Sequence, residues 1–193
     1  MTFPAALKNA ALDAITFTHA SLHTDYPGTT GTNEVTGGAP AYARKAITVN
    51  AASGGSRLLN AGVTFDVPAC TVKWIGFWNS STFLFGVPNG GATPKNFMAL
   101  PSNDTIYAAG HGWSDTQKVV AFGVPPTGVT EGSTIFVRDA ATDTIKLALT
   151  SGGAAIDLTA VASFGCILAA ITEQVYAGQG THSLTSLTFA WVD

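Results

Sequence analysis

The chain has 193 residues, of which 46% are hydrophobic and only 11% are charged, with 21 glycines and a formal net charge of −3. The hydrophobic share suffices for a buried core, and the charged share is well below the roughly 25% usual in soluble domains. Because the few basic residues form no cluster in the sequence, no nucleic-acid partner is expected.

Membrane and secretory segments are not predicted either. The apolar N-terminal stretch contains Lys8 and Asp13, unlike a secretory signal. The uncharged run from Trp74 to Pro94 is interrupted by polar residues, and the run from Leu158 to Ile171 is shorter than the roughly 20 residues that a membrane helix needs. We therefore expect a protein without a membrane partner.

The first predicted element is a helix from Thr2 to Thr16. Thr2 can cap it, and Pro4 is tolerated in a first helical turn. Its apolar residues recur at spacings of three and four, namely Leu7, Ala10, Ala11, Ala14 and Ile15. This stripe predicts that the helix docks on a larger body through its apolar side.

From Phe17 onward the apolar period changes to two, which predicts strands. The predicted strands are Thr18 to His23, Arg44 to Asn50, Val63 to Val67, Val72 to Trp78 and Thr82 to Val87. The loop from Asp25 to Ala41 is polar and rich in glycine and threonine, so it is expected outside the core. Leu187, Phe189 and Trp191 predict a last strand with one aromatic face.

The middle of the chain has its own series of short strands and turns. The candidates are Thr105 to Ala109, Lys118 to Phe122, Thr134 to Arg138, Thr144 to Thr150 and Ala155 to Leu158. Pro94 and Pro101 on one side, and the Ser163-Phe164-Gly165 corner on the other, suggest an insertion. The predicted fold is mainly β: an antiparallel β-sandwich with an N-terminal helix, formed by residues 1–100 and 165–193, and an inserted small β-barrel-like domain, residues 101–164.

Candidate catalytic and metal-binding groups all have simpler structural interpretations. His19 and His23 lie four residues apart in a predicted strand, roughly 13 Å, which is too far to share a zinc ion. The run containing His111, Ser114 and Asp115 has the residue types of a catalytic triad but is glycine-flanked turn sequence. No catalytic residue, and hence no enzymatic activity, is expected.

Three further patterns lead to the same conclusion about cofactors. Asp139 and Asp143 lack the ligand density of a calcium loop, and turn capping explains them. Gly178 and Gly180 are a fragment of a dinucleotide loop without its strand-loop-helix context. Cys70 and Cys166, both in apolar surroundings, are predicted to be buried free thiols, with a disulfide as the alternative. No cofactor or metal is expected.

Aromatic residues supply the candidate interaction surface. The densest cluster comprises Trp74, Phe77, Trp78, Phe83 and Phe85. On two adjacent strands about half of such a cluster can face one core, so core packing and partner contact both remain open. The candidate surface residues are Trp74, Phe77, Trp78, Tyr26 and Trp113.

Several longer motifs carry a family resemblance. They are Ala20 to Gly28, Gly31 to Val35, Tyr42 to Lys45, Val63 to Ala69, Trp74 to Trp78 and Gly178 to His182. Together these motifs resemble a family of short bacteriophage proteins usually labelled tail fibre or minor structural protein. The stretches Asp104 to Gly112, Gly128 to Gly132 and Gly152 to Thr159 resemble a separate module of phage structural proteins, at the place of the predicted insertion.

The resemblance implies a location in the virion, assembled in the host cytoplasm, and no chemical activity. Two functions follow: a capsid decoration or minor capsid (head fibre-like) protein, or a tail fibre or tail-tip protein that binds a host glycan or protein. Because the chain has no heptads or other repeat that would form a fibre shaft, we favour decoration. The expected partners are other virion proteins, copies of the chain in a homotrimer, and in the second case a host surface glycan.

Overall fold

The computed structural model describes residues 3–160 and 166–190. The chain is mainly antiparallel β with one helix near its N-terminus, as predicted. It divides into two compact units, the first formed by Met1–Val87 with Gln174–Asp193 and the second by Pro88–Glu173. The sequence-based division at residues 101–164 stays a prediction, and its corner at Ser163 to Gly165 lies outside the described residues.

The helix, α1, spans Ala5–Asp13 and is shorter than predicted. Pro4 has an extended ψ of 145°, so the helical backbone begins only at Ala5, and the predicted cap Thr2 lies outside the described residues. The predicted docking side is wrong. Leu12 is the buried residue of α1, whereas Leu7 of the apolar stripe is 53% exposed and Ile15, just after the helix, is 37% exposed.

The strands are short and follow one another in chain order. The first seven are β1 His19–His23, β2 Lys45–Ala46, β3 Ser56–Leu58, β4 Val63–Val67, β5 Cys70–Val72, β6 Trp74–Asn79 and β7 Thr82–Pro88. The next seven are β8 Lys95–Asn96, β9 Met98–Leu100, β10 Thr105–Tyr107, β11 Lys118–Phe122, β12 Thr134–Arg138, β13 Thr144–Ala148 and β14 Ile167–Ala170. The last three are β15 Gln174–Tyr176, β16 Gly180–Leu184 and β17 Thr188–Ala190. A short 3-10 helix, Pro101–Asn103, precedes β10.

The first unit has a four-stranded sheet in the order β2-β1-β6-β7 and three two-stranded antiparallel ladders, β3 with β17, β4 with β16 and β5 with β15. Leu22 and Phe77 of the sheet share one core with Phe65 and Leu184 of the ladders. This is a sandwich-like arrangement in which the layer facing the sheet is divided into ladders. The last strand contributes Phe189 to this core, and Trp191 lies outside the described residues.

The second unit is one antiparallel sheet in the order β8-β14-β11-β12-β13-β10-β9. β8 and β9 are the two edge strands of this sheet, and only Phe97 separates them in the sequence. The sheet must therefore curl until its two edges lie next to each other. Val119, Ile135, Ile145 and Leu168 form part of the enclosed core. In the described residues no ladder joins the two edges, so the predicted barrel-like form is corrected to a curled, open sheet.

Several strand predictions are confirmed at both ends, namely Val63 to Val67, Lys118 to Phe122 and Thr134 to Arg138. The predicted strand Val72 to Trp78 is interrupted at Lys73, because β5 pairs with β15 whereas β6 pairs with β1. The predicted strand Ala155 to Leu158 is reduced to one isolated bridge, between Ala155 and Ala148.

Candidate functional site

The four-stranded sheet of the first unit is covered on both faces. Ile75 and Phe77 of β6 lie in the core, so the alternating residues Trp74, Gly76 and Trp78 occupy the opposite face. Residues 24–44, which we call the covering loop, contact that face through Tyr26, Gly31 and Arg44, while Val35 and Tyr42 of the same loop pack into the core. They leave Trp74 fully buried and Trp78 only 5% exposed.

The covering loop contacts this face through rings and one cation. The Tyr26 ring lies 5.0 Å from the Trp74 ring, centroid to centroid. The Cζ atom of the Arg44 guanidinium lies over Trp78, 3.3 Å from the ring centroid, which is a cation–π contact. Gly31 sits so close that a Cβ atom there would be 2.5 Å from the Trp78 ring. The loop was expected outside the core, and this packing corrects that expectation.

A chain of hydrogen bonds runs beneath the loop. The Thr32 carbonyl oxygen can only accept, so His23 must donate to it from Nδ1, at 2.7 Å. In neutral His23 the Nε2 atom is then an acceptor, and the Ser21 hydroxyl donates to it at 2.7 Å. Ser21 in turn accepts from the Trp78 indole N–H, also at 2.7 Å. Every group in this chain is paired when His23 is neutral.

Burial lowers the pKa of His23 below its ordinary value of 6.5, and Arg44 acts in the same direction. The Thr32 carbonyl and the Glu34 carboxylate act against burial without overcoming it. The Ser21–His23 pair resembles a nucleophile with its base, but both residues are 0% exposed. Because no substrate can reach Ser21, we assign the pair a structural role.

Tyr42 connects the loop to β1. Its hydroxyl oxygen accepts from the Leu22 backbone N–H at 2.8 Å, and the hydroxyl donates to the Glu34 carboxylate at 3.3 Å. Burial raises the pKa of Tyr42, so this hydroxyl stays protonated. Glu34 also accepts from Nε and Nη2 of Arg44 at 2.9 and 2.7 Å. The guanidinium is thereby fixed on two sides, by a carboxylate and by the Trp78 ring.

The far end of the chain also holds the covering loop. The Gln179 side-chain oxygen accepts from the Ala39 N–H at 3.0 Å, and its amide nitrogen donates to the Pro40 carbonyl at 3.3 Å. Gln179 belongs to one of the resemblance motifs, and Tyr42 and Arg44 belong to another. These motifs therefore meet in one structure, which holds the loop in place.

At the rim of the covered face lies a surface depression of about 400 Å3, lined by His19, Arg44, Ser80 and Ser81. His19 is on β1, and Ser80 and Ser81 form the turn between β6 and β7. The Thr18 hydroxyl donates to the Trp78 carbonyl and accepts from the Ser80 N–H, which holds this turn against β1. The lining groups thus project from fixed backbone.

The predicted interaction surface needs correction. Trp74 and Phe77 are 0% exposed, Trp78 is 5% exposed and Trp113 is 8% exposed. Aromatic side chains with almost no accessible area cannot serve as contact residues on the folded unit, because they already pack within it. Tyr26 is half-buried, and its contact with a partner stays a prediction.

The predicted non-catalytic groups have identifiable partners. His111 donates from Nε2 to the Ala141 carbonyl and accepts the Trp113 N–H at Nδ1, so both ring nitrogens are used. The Asp115 carboxylate accepts from the Ala140 N–H instead of orienting His111. A catalytic triad therefore has no geometric basis at His111.

The two aspartates have structural partners, and the two cysteines are not linked to each other. Asp143 accepts from the Gly110 N–H at 2.7 Å, and Asp139 pairs with Arg138. Cys70 and Cys166 are both free thiols. Cys166 is buried as predicted, whereas Cys70 is only half-buried, and burial raises the pKa of its thiol. In residues 3–160 and 166–190 no group of three or more potential ligands converges on a metal position.

The sequence motifs contained the important residues without indicating their roles. Ser21, Glu34, Tyr42 and Arg44 all lie in the motifs that carry the resemblance. Their pairing links positions up to 57 residues apart, as in the bond from Trp78 to Ser21. Local spacing cannot reveal such a network. Ser80 and Ser81 give no signal beyond that of a hairpin turn.

Within the described part of the chain, neither α1 nor the short 3-10 helix is long enough to cross a membrane. No curated protein and no solved structure matches the chain. A family model described as podophage GP4 fiber I protein gp80 matches residues 3–111, which is more than half of the chain and includes most of the motifs above. The chain therefore belongs to this family of phage fibre proteins and is a bacteriophage structural protein, as the resemblance implied.

Proposed function

We propose that this protein is a component of the phage particle surface, of the capsid decoration or head-fibre kind, and that it binds a neighbouring virion protein through the outward side of α1. The observation that carries the proposal is the orientation of this helix. Asn9 and Asp13 bind backbone groups of the first unit beside the buried Leu12, whereas Leu7 of the apolar stripe is exposed, unlike the stripe of an ordinary surface helix.

The polar side of α1 is bound to the segment around β3. The Asn9 side-chain oxygen accepts from the Gly55 N–H at 2.8 Å, and the Asp13 carboxylate accepts from the Ala52 N–H at 2.9 Å. Arg57 donates to the carbonyl oxygens of Leu12, in the last helical turn, and of Ile15, just after it. These bonds fix which side of α1 faces outward.

The outward side is apolar. Leu7 is 53% exposed, and a shallow groove of about 200 Å3 runs between Phe3, Leu7, Lys8 and Ala11. An apolar groove on a helix that is already fixed by its other side is suited to contact with a second protein. A fibre protein, as the family description names it, must attach to the particle somewhere, and this groove is our candidate.

The test is incorporation into particles. Phage grown with Leu7→Ser in this chain should yield particles depleted of the protein, whereas the control Leu149→Ser should be incorporated normally, since Leu149 is also exposed, at 67%, but lies in the second unit. Circular dichroism of both purified variants should be unchanged. Normal incorporation of the Leu7 variant would refute the proposed attachment.

Location on the particle separates the proposal from its alternative, a tail fibre or tail-tip protein that binds the host. Gold-labelled antibody against the chain should decorate the capsid. Label confined to the tail tip would favour the alternative and contradict the decoration role.

A further inference from the structure

We propose that the depression lined by His19, Arg44, Ser80 and Ser81 is a binding site for an uncharged saccharide. This goes beyond the proposed attachment through α1, and it rests on three features of the site: unused hydrogen-bonding groups, fixed geometry and balanced charge.

The unused groups are of the kind that sugar hydroxyls need. Nε and Nη2 of Arg44 are bonded to Glu34, whereas Nη1 has no hydrogen-bond partner in the described residues. His19 donates from Nδ1 to the Thr18 hydroxyl, because that hydroxyl gives its own hydrogen to the Trp78 carbonyl. The Nε2 atom of neutral His19 is then left as an acceptor. The depression therefore offers both a donor and an acceptor.

Ser80 and Ser81 add two hydroxyls that can both donate and accept. Neither hydroxyl is bonded to another group in residues 3–160 and 166–190. Both serines are exposed, so a ligand in the depression can reach them. A sugar hydroxyl also donates and accepts, and it would match this mixture better than a ligand that can only accept.

The geometry is set before a ligand arrives. Arg44 is held by the Trp78 ring at 3.3 Å and by Glu34 at 2.7 Å, and its side chain is only 32% exposed. An arginine that is already immobilised loses little conformational entropy on binding. The depression is shallow and open to solvent, so a saccharide would contact it with one face only.

Charge balance selects a neutral ligand over an anion. The Glu34 carboxylate already neutralises Arg44, and Lys45, the next residue, is paired with Asp66 at 3.6 Å. A second carboxylate, sulfate or phosphate on the free edge of Arg44 would lie close to Glu34 and be repelled. An uncharged saccharide avoids that cost.

The test uses the full chain on an array of neutral hexose and N-acetylhexosamine oligosaccharides alongside sialylated and sulfated ones. We expect at least one neutral glycan to bind and the acidic series to bind no better. His19→Ala should weaken that binding by about ten-fold, the loss of one hydrogen bond. Ser81→Trp, which fills the depression from an exposed turn, should abolish it, and the control Ser53→Ala, an exposed serine of the same unit outside the depression, should have no effect.

Three outcomes would overturn the proposal: no neutral glycan bound by the unaltered chain, binding of acidic glycans alone, or binding that survives Ser81→Trp. Circular dichroism of each variant separates loss of binding from loss of fold. Because α1 is unchanged in these variants, particle incorporation should remain normal, so failure of the saccharide site and failure of the attachment proposal are distinguishable.

Discussion

At the scale of single residues, Gly76 is one of the most tightly packed glycines of the first unit. On the outer face of β6, a Cβ atom at this position would lie 2.4 Å from His23 Nε2 and 2.5 Å from the Ser21 hydroxyl oxygen. Any side chain there would therefore push apart His23 Nε2 and the Ser21 hydroxyl, whose hydrogen bond is part of the chain from Trp78 to the covering loop. Glycine is required at this point by space, and not by backbone angle.

We predict that Gly76→Ala lowers the free energy of unfolding by about 1 to 3 kcal/mol, because a well-packed interior must move to admit the methyl group. Urea unfolding followed by fluorescence measures this. The matched control is Gly178→Ala, where the new methyl group meets nothing within 4 Å, and it should change stability by less than about 0.5 kcal/mol. Equal effects of the two substitutions would contradict this account.

The buried histidines predict how stability depends on pH. Burial lowers the pKa of both His23 and His182 below 6.5, so between pH 6.5 and the folded-state pKa the unfolded chain binds more protons than the folded one. Unfolding free energy should therefore fall as pH is lowered from about 7 to 5.5, by at most about 1.4 kcal/mol per pH unit for each histidine. His182→Asn should reduce this slope. Stability that is constant or increases over this interval would show the interpretation to be incorrect.

At the scale of elements, the covering loop behaves as a third layer on the four-stranded sheet. The polar composition of the loop does not indicate this role. Its contacts with the outer face use the Arg44 guanidinium, the adjacent rings of Tyr26 and Trp74 and the Thr32 carbonyl more than aliphatic side chains. The aromatic residues of β6 are divided between the two faces by simple alternation. Both faces are buried, but one of them by a loop.

Tyr42→Phe tests how strongly the loop is attached. The substitution removes the acceptor of the Leu22 N–H and leaves a buried donor unpaired, so we expect a loss of about 1 to 3 kcal/mol in unfolding free energy. Hydrogen exchange of the Leu22 amide should also accelerate. Tyr107→Phe is the control, since Tyr107 is 42% exposed, and it should leave stability unchanged. A Tyr42→Phe variant as stable as the control would argue against this attachment.

Strand positions were predictable where alternation was bounded by turn residues on both sides, as in β4, β11 and β12. The side by which α1 docks was not, because periodicity identifies an apolar stripe but not what faces it. The polar contacts of Asn9 and Asp13, which decide the orientation, go to backbone N–H groups about 40 residues away. The depression was equally hidden, since its lining comes from three separate segments of the chain.

At the scale of the whole molecule, exposed apolar side chains occur in both units. Those of the first unit are Leu7, Ile15, Leu58 and Val175, and those of the second are Met98, Tyr107, Val124 and Leu149. Met98 and Tyr107 are directly paired across β9 and β10. With so few charged residues, the chain has apolar surface available for assembly.

This surface favours self-association, and the resemblance to phage structural proteins implies three copies, so we predict a closed homotrimer in solution in which part of the surface is buried. Size-exclusion chromatography with light scattering should give three times the mass of one chain at micromolar concentration. A mass equal to one chain under these conditions would refute it. Leu7→Ser provides a further comparison, since it separates self-association through α1 from association through other surfaces.

The pairing of the ladders has a consequence for the order of events on the ribosome. β3, β4 and β5 pair with β17, β16 and β15. The first of these strands to be synthesised, β3, therefore pairs with the last, β17. All of the second unit, Pro88–Glu173, is synthesised in between and is continuous in the chain. The second unit therefore has every strand of its own sheet as soon as it leaves the ribosome. In the first unit, β3, β4 and β5 have no ladder partners until β15, β16 and β17 have been synthesised.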